Sequence, residues 1–167
     1  MAQPDYIEQQ LDDILEKHVM SNNKLLELIK KERHCIIHNE LEALAEINEE
    51  KLAFKNAIAE IEKERMALMD SFRARYDLEA KTTRLKDLIG VVEEPFKTGY
   101  EQKRKKLKSL LRMIKISHEG NKKLIQKSLC FHEKSFMLLF GLTKEKVGYA
   151  PSGEIVHNQK RLIDNVV

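Results

Sequence analysis

Residues 121–153 read N-K-K-L-I-Q-K-S-L-C-F-H-E-K-S-F-M-L-L-F-G-L-T-K-E-K-V-G-Y-A-P-S-G, and the reading of this stretch decides the fold. It begins as an ordinary amphipathic helix, with Leu124, Ile125, Ser128 and Leu129 on one side. It ends differently. Phe131, Phe136, Met137, Leu138, Leu139, Phe140 and Leu142 place apolar groups around most of the circumference, more than the roughly 100°-wide stripe that packs one side of a surface helix. A second face therefore needs cover, from elsewhere in the chain, from a second copy, or from a foreign partner.

Working outward, the chain has the composition of a long-helix protein. It has 167 residues, 42% of them hydrophobic and 34% charged, with six Gly, three Pro and no Trp. That hydrophobic fraction excludes a fully disordered chain, and so few breakers leave few turns. No apolar run approaches the roughly 20 residues that span a bilayer, and the N-terminus lacks the basic start and apolar core of a signal peptide, so a cytoplasmic location without membrane insertion is expected.

Apolar residues recur at helical spacing from Ile7 through Leu11, Leu15, Val19, Leu26 and Ile29 to Ile37, with Asp5 as a first cap, which predicts a first helix to about His38. The polar Ser21-Asn22-Asn23 suggests a kink or a solvent-facing patch within it. Asn39 with Glu42 reads as a capping-box start for a second helix to about Ala80, although one unbroken helix through this point remains open. Its stripe of Leu41, Leu44, Ile47, Leu52, Phe54, Ile58, Ile61, Leu68, Met69 and Phe72 has a period near 3.5. Lys81-Thr82-Thr83 offers a cap for a short segment with Leu85, Leu88 and Ile89, ended by Gly90. Glu93-Glu94-Pro95 then opens a long helix to about Phe140.

The expected architecture is all-α: an elongated antiparallel bundle or coiled coil of three long helices plus one short one. A single domain is expected over residues 1–140, followed by a flexible arm over 141–167.

Charge is distributed unevenly. Residues 1–64 hold fifteen Asp/Glu against eight Lys/Arg, and residues 97–127 hold eleven Lys/Arg against two Glu. Antiparallel packing of these halves would neutralise both. The run Lys103-Arg104-Lys105-Lys106 with Lys108, Arg112 and Lys115 raises nucleic-acid binding, but no aromatic residues are interleaved with it for base stacking, and a solvated or self-neutralised face is the better reading.

His34 and His38 stand at the i, i+4 spacing of two metal ligands but lack a third, and read as surface residues near a helix end. Cys35 and Cys130 match no paired motif and read as small half-buried hydrophobes. No catalytic set, phosphate loop or carboxylate cleft can be placed, which points to a non-enzyme without a cofactor or metal. By these patterns alone, residues 136–142 serve equally well as core at a closed end of the bundle or as a groove for a partner.

The series Leu25-Leu26, Glu32, Leu41, Leu44, Lys51-Leu52, Ile58, Ile61-Glu62, Arg65, Leu68-Met69 resembles the first hairpin of the FlgN family of flagellar export chaperones. Leu107, Leu110-Leu111 and the run Asn121, Leu124-Ile125, Ser128-Leu129 resemble the family's last helix. Tyr149 with Gly153 resembles the short Tyr-containing motif that follows it. The resemblance implies a cytoplasmic chaperone of type III export that binds the hook–filament junction proteins FlgK and FlgL and delivers them to the export gate.

It also implies a client site on the C-terminal helical region, carried over to Leu124, Ile125, Leu129, Phe136, Met137, Leu138, Leu139, Phe140 and Leu142. Docking on the export-gate protein FlhA carries over to Tyr149. The competing reading is an oligomeric coiled-coil scaffold or adaptor, such as a homodimer closed by the same apolar cluster, with no secretion client.

Overall fold

The computed structural model describes residues 6–78 and 84–140 in full, and the backbone pairing of residues 147–149 with 155–157. Four helices follow in order: α1 (Tyr6–His38), α2 (Leu41–Tyr76), the short α3 (Leu85–Ile89) and α4 (Phe96–Leu139). The all-α bundle expected from the periodicity is the fold observed. The chain divides into two compact units, Met1–Lys122 and Lys123–Val167.

In the first unit α1 and α2 form an antiparallel hairpin. Cross-links between Lys17 and Glu64 and between Glu32 and Lys51 fix its direction. Residues of α4 up to Lys122 run parallel to α1, as Lys103 meets Asp12 and Asn121 meets Ile29.

The α1–α2 junction is a helix C-cap rather than the capping box expected from sequence. Asn39 adopts φ 57°, and Glu40 N–H donates to the Cys35 carbonyl at 3.0 Å, the outer bond of a Schellman motif; Glu40 leads into α2 with no side-chain cap. Asn tolerates the left-handed conformation that this turn requires. The end of α2 repeats the device: Asp77 has φ 49°, and Leu78 N–H donates to the Arg73 carbonyl at 3.1 Å. The second helix therefore stops four residues before the expected Ala80. Ala80 itself, the cap at residues 81–83 and the Asp5 cap lie outside the described residues.

Glu94 behaves as the sequence suggests. Its carboxylate accepts from the Thr98 backbone N–H at 3.3 Å and from Thr98 Oγ1 at 2.8 Å, in the first turn of α4. There it satisfies an orphan donor and meets the positive end of the helix dipole.

The main core gathers Leu11, Leu15, Val19 and Leu26 of α1, Met69 and Phe72 of α2, and Tyr100, Leu107 and Leu110 of α4; Leu88, Ile89 and Val92 in and after α3 pack into it as well. A smaller cluster of Leu28, Cys35 and Ile47 lies toward the α1–α2 turn. Not every position of the stripe expected in α2 is inside, since Leu41 and Leu52 are exposed.

The polar triplet does not interrupt α1, and its central residue faces inward rather than to solvent. Asn22 is buried, and its amide donates to the His18 carbonyl one turn back at 2.8 Å, which satisfies the polar group inside an unbroken helix.

In the second unit, two three-residue strands, β1 (Val147–Tyr149) and β2 (Ile155–His157), pair antiparallel with Gly148 opposite Val156. The periodicity analysis placed no strand here. The signal was short: Val, Tyr, Ile and Val on either side of a Pro-Ser-Gly turn sequence.

Candidate functional site

Two kinds of site-like feature stand out: buried polar links that tie the first unit together, and an exposed apolar segment in the second.

Glu8 is buried on α1, where its carboxylate accepts from Arg75 Nη1 at 3.0 Å and from the Tyr76 hydroxyl at 2.5 Å, while its backbone carbonyl accepts from the fully buried Tyr100 hydroxyl at 2.7 Å. One residue thus joins α1 to both α2 and α4. Burial first, then the hydrogen bond to Glu8, pushes the Tyr76 hydroxyl up to about 12. Burial, then the charge of Glu8, raises that of Tyr100 as well.

About 36 Å further along α1, at 1.5 Å per residue, Glu32 repeats the arrangement. It takes Lys51 Nζ from α2 at 2.6 Å and Asn121 Nδ2 from α4 at 2.9 Å, and the same amide donates to the Ile29 carbonyl at 2.8 Å. A one-turn slip of any helix would strand a buried charge, so these two links fix the register.

The sequence patterns give Glu8 no role and Glu32 only a place in the family resemblance, although a signal was present. Glu8 lies three residues before Leu11, and Glu32 three before Cys35, so each is a charge standing on a core stripe.

His18 on α1 is half-buried, and burial lowers it more than the nearby Glu62 raises it. Glu62 is itself held low, chiefly by the two hydrogen bonds from Arg65 at 2.7 and 2.8 Å. The rings of His34 and His38 lie 4.0 Å apart between centroids, tilted by 33°, and His38 Nδ1 lies 2.9 Å from the His34 carbonyl. Among the described residues no group of three His, Cys, Asp or Glu side chains could hold a metal ion. The two thiols differ, with Cys35 buried and Cys130 exposed, so the half-buried reading fits neither.

The residues singled out for client binding share the last turns of α4. Leu124 is half-buried; Ile125, Leu129, Phe136, Met137, Leu138, Leu139 and Phe140 are all exposed, reaching 64% at Leu129, 69% at Leu138 and 79% at Leu139. At 100° per residue, Ile125, Leu129, Phe136 and Phe140 fall on one stripe, and Leu124, Phe131 and Leu138 on a second. The rings of Phe136 and Phe140, one turn apart, lie 4.2 Å from centroid to centroid. Leu142 lies outside the described residues. Tyr149 is described in its backbone alone, at the end of β1 opposite Ile155.

Such an exposed apolar surface fits a binding protein. The family model described as FlgN protein matches residues 1–157. The chain belongs to the FlgN family. No match was found among curated proteins or among solved structures. FlgN membership brings with it the role of a flagellar export chaperone, and the match runs through both compact units. No helix among the described residues is long and apolar enough to cross a membrane.

Proposed function

We propose that this chain is a cytoplasmic chaperone that holds the hook–filament junction proteins FlgK and FlgL before their export and hands them to the export gate. The observation that supports this reading is the apolar end of α4, where six large side chains from Leu129 onward are more than half exposed. Contiguous exposed apolar surface marks interaction sites on soluble proteins.

An amphipathic client helix laid along Ile125, Leu129, Phe136 and Phe140 would match their repeat with anchors at i, i+3 or i+4, and i+7. Leu139 and the flexible Met137 flank that stripe, and Leu124, Phe131 and Leu138 form the second row, on the other side of the helix, for a further client segment. The same reading assigns Leu142 to client binding and Tyr149 to docking on FlhA.

Calorimetric titration with the C-terminal helical segments of FlgK and FlgL tests the proposal. The full chain should bind, and Phe136→Asp should not, with its helicity intact. Equal binding by the variant, or no heat from a folded wild type, overturns the assignment. A tight dimer that takes no client would favour the coiled-coil scaffold.

A further inference from the structure

The basic run on α4 is only partly neutralised. Lys103 sits between Asp12 Oδ1 at 2.8 Å and Glu16 Oε2 at 3.3 Å. Lys105, Lys108, Arg112 and Lys115 are exposed, and no ion pair links any of them to another described residue. Their spacing of three, four and three sets them in one row on the helix, about 15 Å long at 1.5 Å per residue. Glu101 and Glu119 bracket the row on the same stripe.

We propose that the row Lys105, Lys108, Arg112 and Lys115 docks an acidic amphipathic helix of a second protein. The molecule itself contains the template. α1 presents Asp12 and Glu16, one turn apart, to a lysine of α4, and the parallel course of the two helices keeps that pair in register. A foreign helix with carboxylates at i and i+4 would meet the unpaired row in the same way, its charge complementary to the four cations.

Apolar contacts are available on both flanks. Leu111, 52% exposed, lies between Lys108 and Lys115; Ile116, 58% exposed, lies one turn beyond Arg112. A protein helix would use these, whereas a phosphate backbone would not. Residues 101–130 also contain no Phe, Tyr or Trp on which bases would stack. This row shares no residue with the proposed client site and does not depend on it.

The test uses the full chain and three labelled probes read by fluorescence anisotropy: a helical peptide with Glu at successive i, i+4 positions flanked by Leu, a scrambled peptide of the same composition, and a short DNA duplex. The patterned peptide should bind at least about tenfold more tightly than the scrambled one. Replacing all four cations with Gln should lose at least about tenfold of that affinity. Replacing them with Glu should lose more, with circular dichroism and Tm unchanged for the Gln variant because all four side chains are exposed. Equal binding of the two peptides would reduce the row to a nonspecific cation surface and overturn the proposal. So would tighter binding of the duplex that weakens steeply between about 50 and about 200 mM salt, or unchanged affinity in the Gln variant.

Discussion

α4 contains two stretches of similar apolar residues in opposite circumstances. In its first part, up to Lys122, Tyr100, Leu107, Leu110 and Asn121 are buried in the bundle, and most of the remaining surface is charged. From Lys123 on the apolar residues are more closely spaced, yet no described residue of this part is buried. Hydrophobicity by itself does not say what is core. Core status depends on whether other elements present a matching face, and in the first unit α1 and α2 do so with polar links that set the register.

The sharpest way to break this comparison is to make the same change in both units. Phe72→Ala removes a fully buried ring and should cost about 3–5 kcal/mol in urea unfolding, whereas Phe136→Ala removes an exposed one and should cost under about 1 kcal/mol. Comparable losses would mean that the end of α4 is core. Binding should reverse the order. Phe136→Asp should lower client affinity about 100-fold, or ~2.8 kcal/mol, while Tm stays within a few degrees of wild type.

The register links come next. Asn121→Ala leaves the Ile29 carbonyl and one oxygen of Glu32 without their buried donor, a loss of about 1–3 kcal/mol. Asn121→Asp should cost more, because a second carboxylate would replace the amide that now sits 2.9 Å from that of Glu32. If both variants matched wild type in denaturant midpoint, the link would carry no register information.

Much of this was legible in the sequence. The three long helices, the short one, the stop near His38 and the start after Pro95 follow from apolar period and from a few capping residues, which act locally. What escaped was non-local. That Glu8 and Glu32 are buried depends on Arg75, Tyr76, Lys51 and Asn121 arriving from other helices. Periodicity scores a charge on a core stripe as an interruption, and only the packed partners turn it into a link. Asn39 was misread for a related reason: it suits both the start of one helix and the left-handed end of another, and the local sequence does not choose between them.

The smallest expected effect is one of pH. Because burial lowers His18, the unfolded chain binds its proton first as acidity rises, so stability falls as pH drops below the ordinary value near 6.5 and levels off below the lowered one. Glu62, held low by Arg65, retains its charge over this window. His18→Gln should therefore narrow the Tm difference between about pH 7.5 and about pH 5.5; an unchanged difference would place the acid sensitivity elsewhere. At the alkaline end, the raised Tyr76 hydroxyl contributes stability that is lost from about pH 10 up to about 12.

The central claim is that the first unit is a scaffold and the exposed end of α4 is the client seat. Hydrogen–deuterium exchange of the full chain, alone and saturated with the C-terminal segment of FlgK, tests it most directly. The account predicts new protection across residues 124–140, with α1 and α2 unchanged. Protection confined to α1 and α2, with residues 124–140 exchanging as in the free chain, would contradict it.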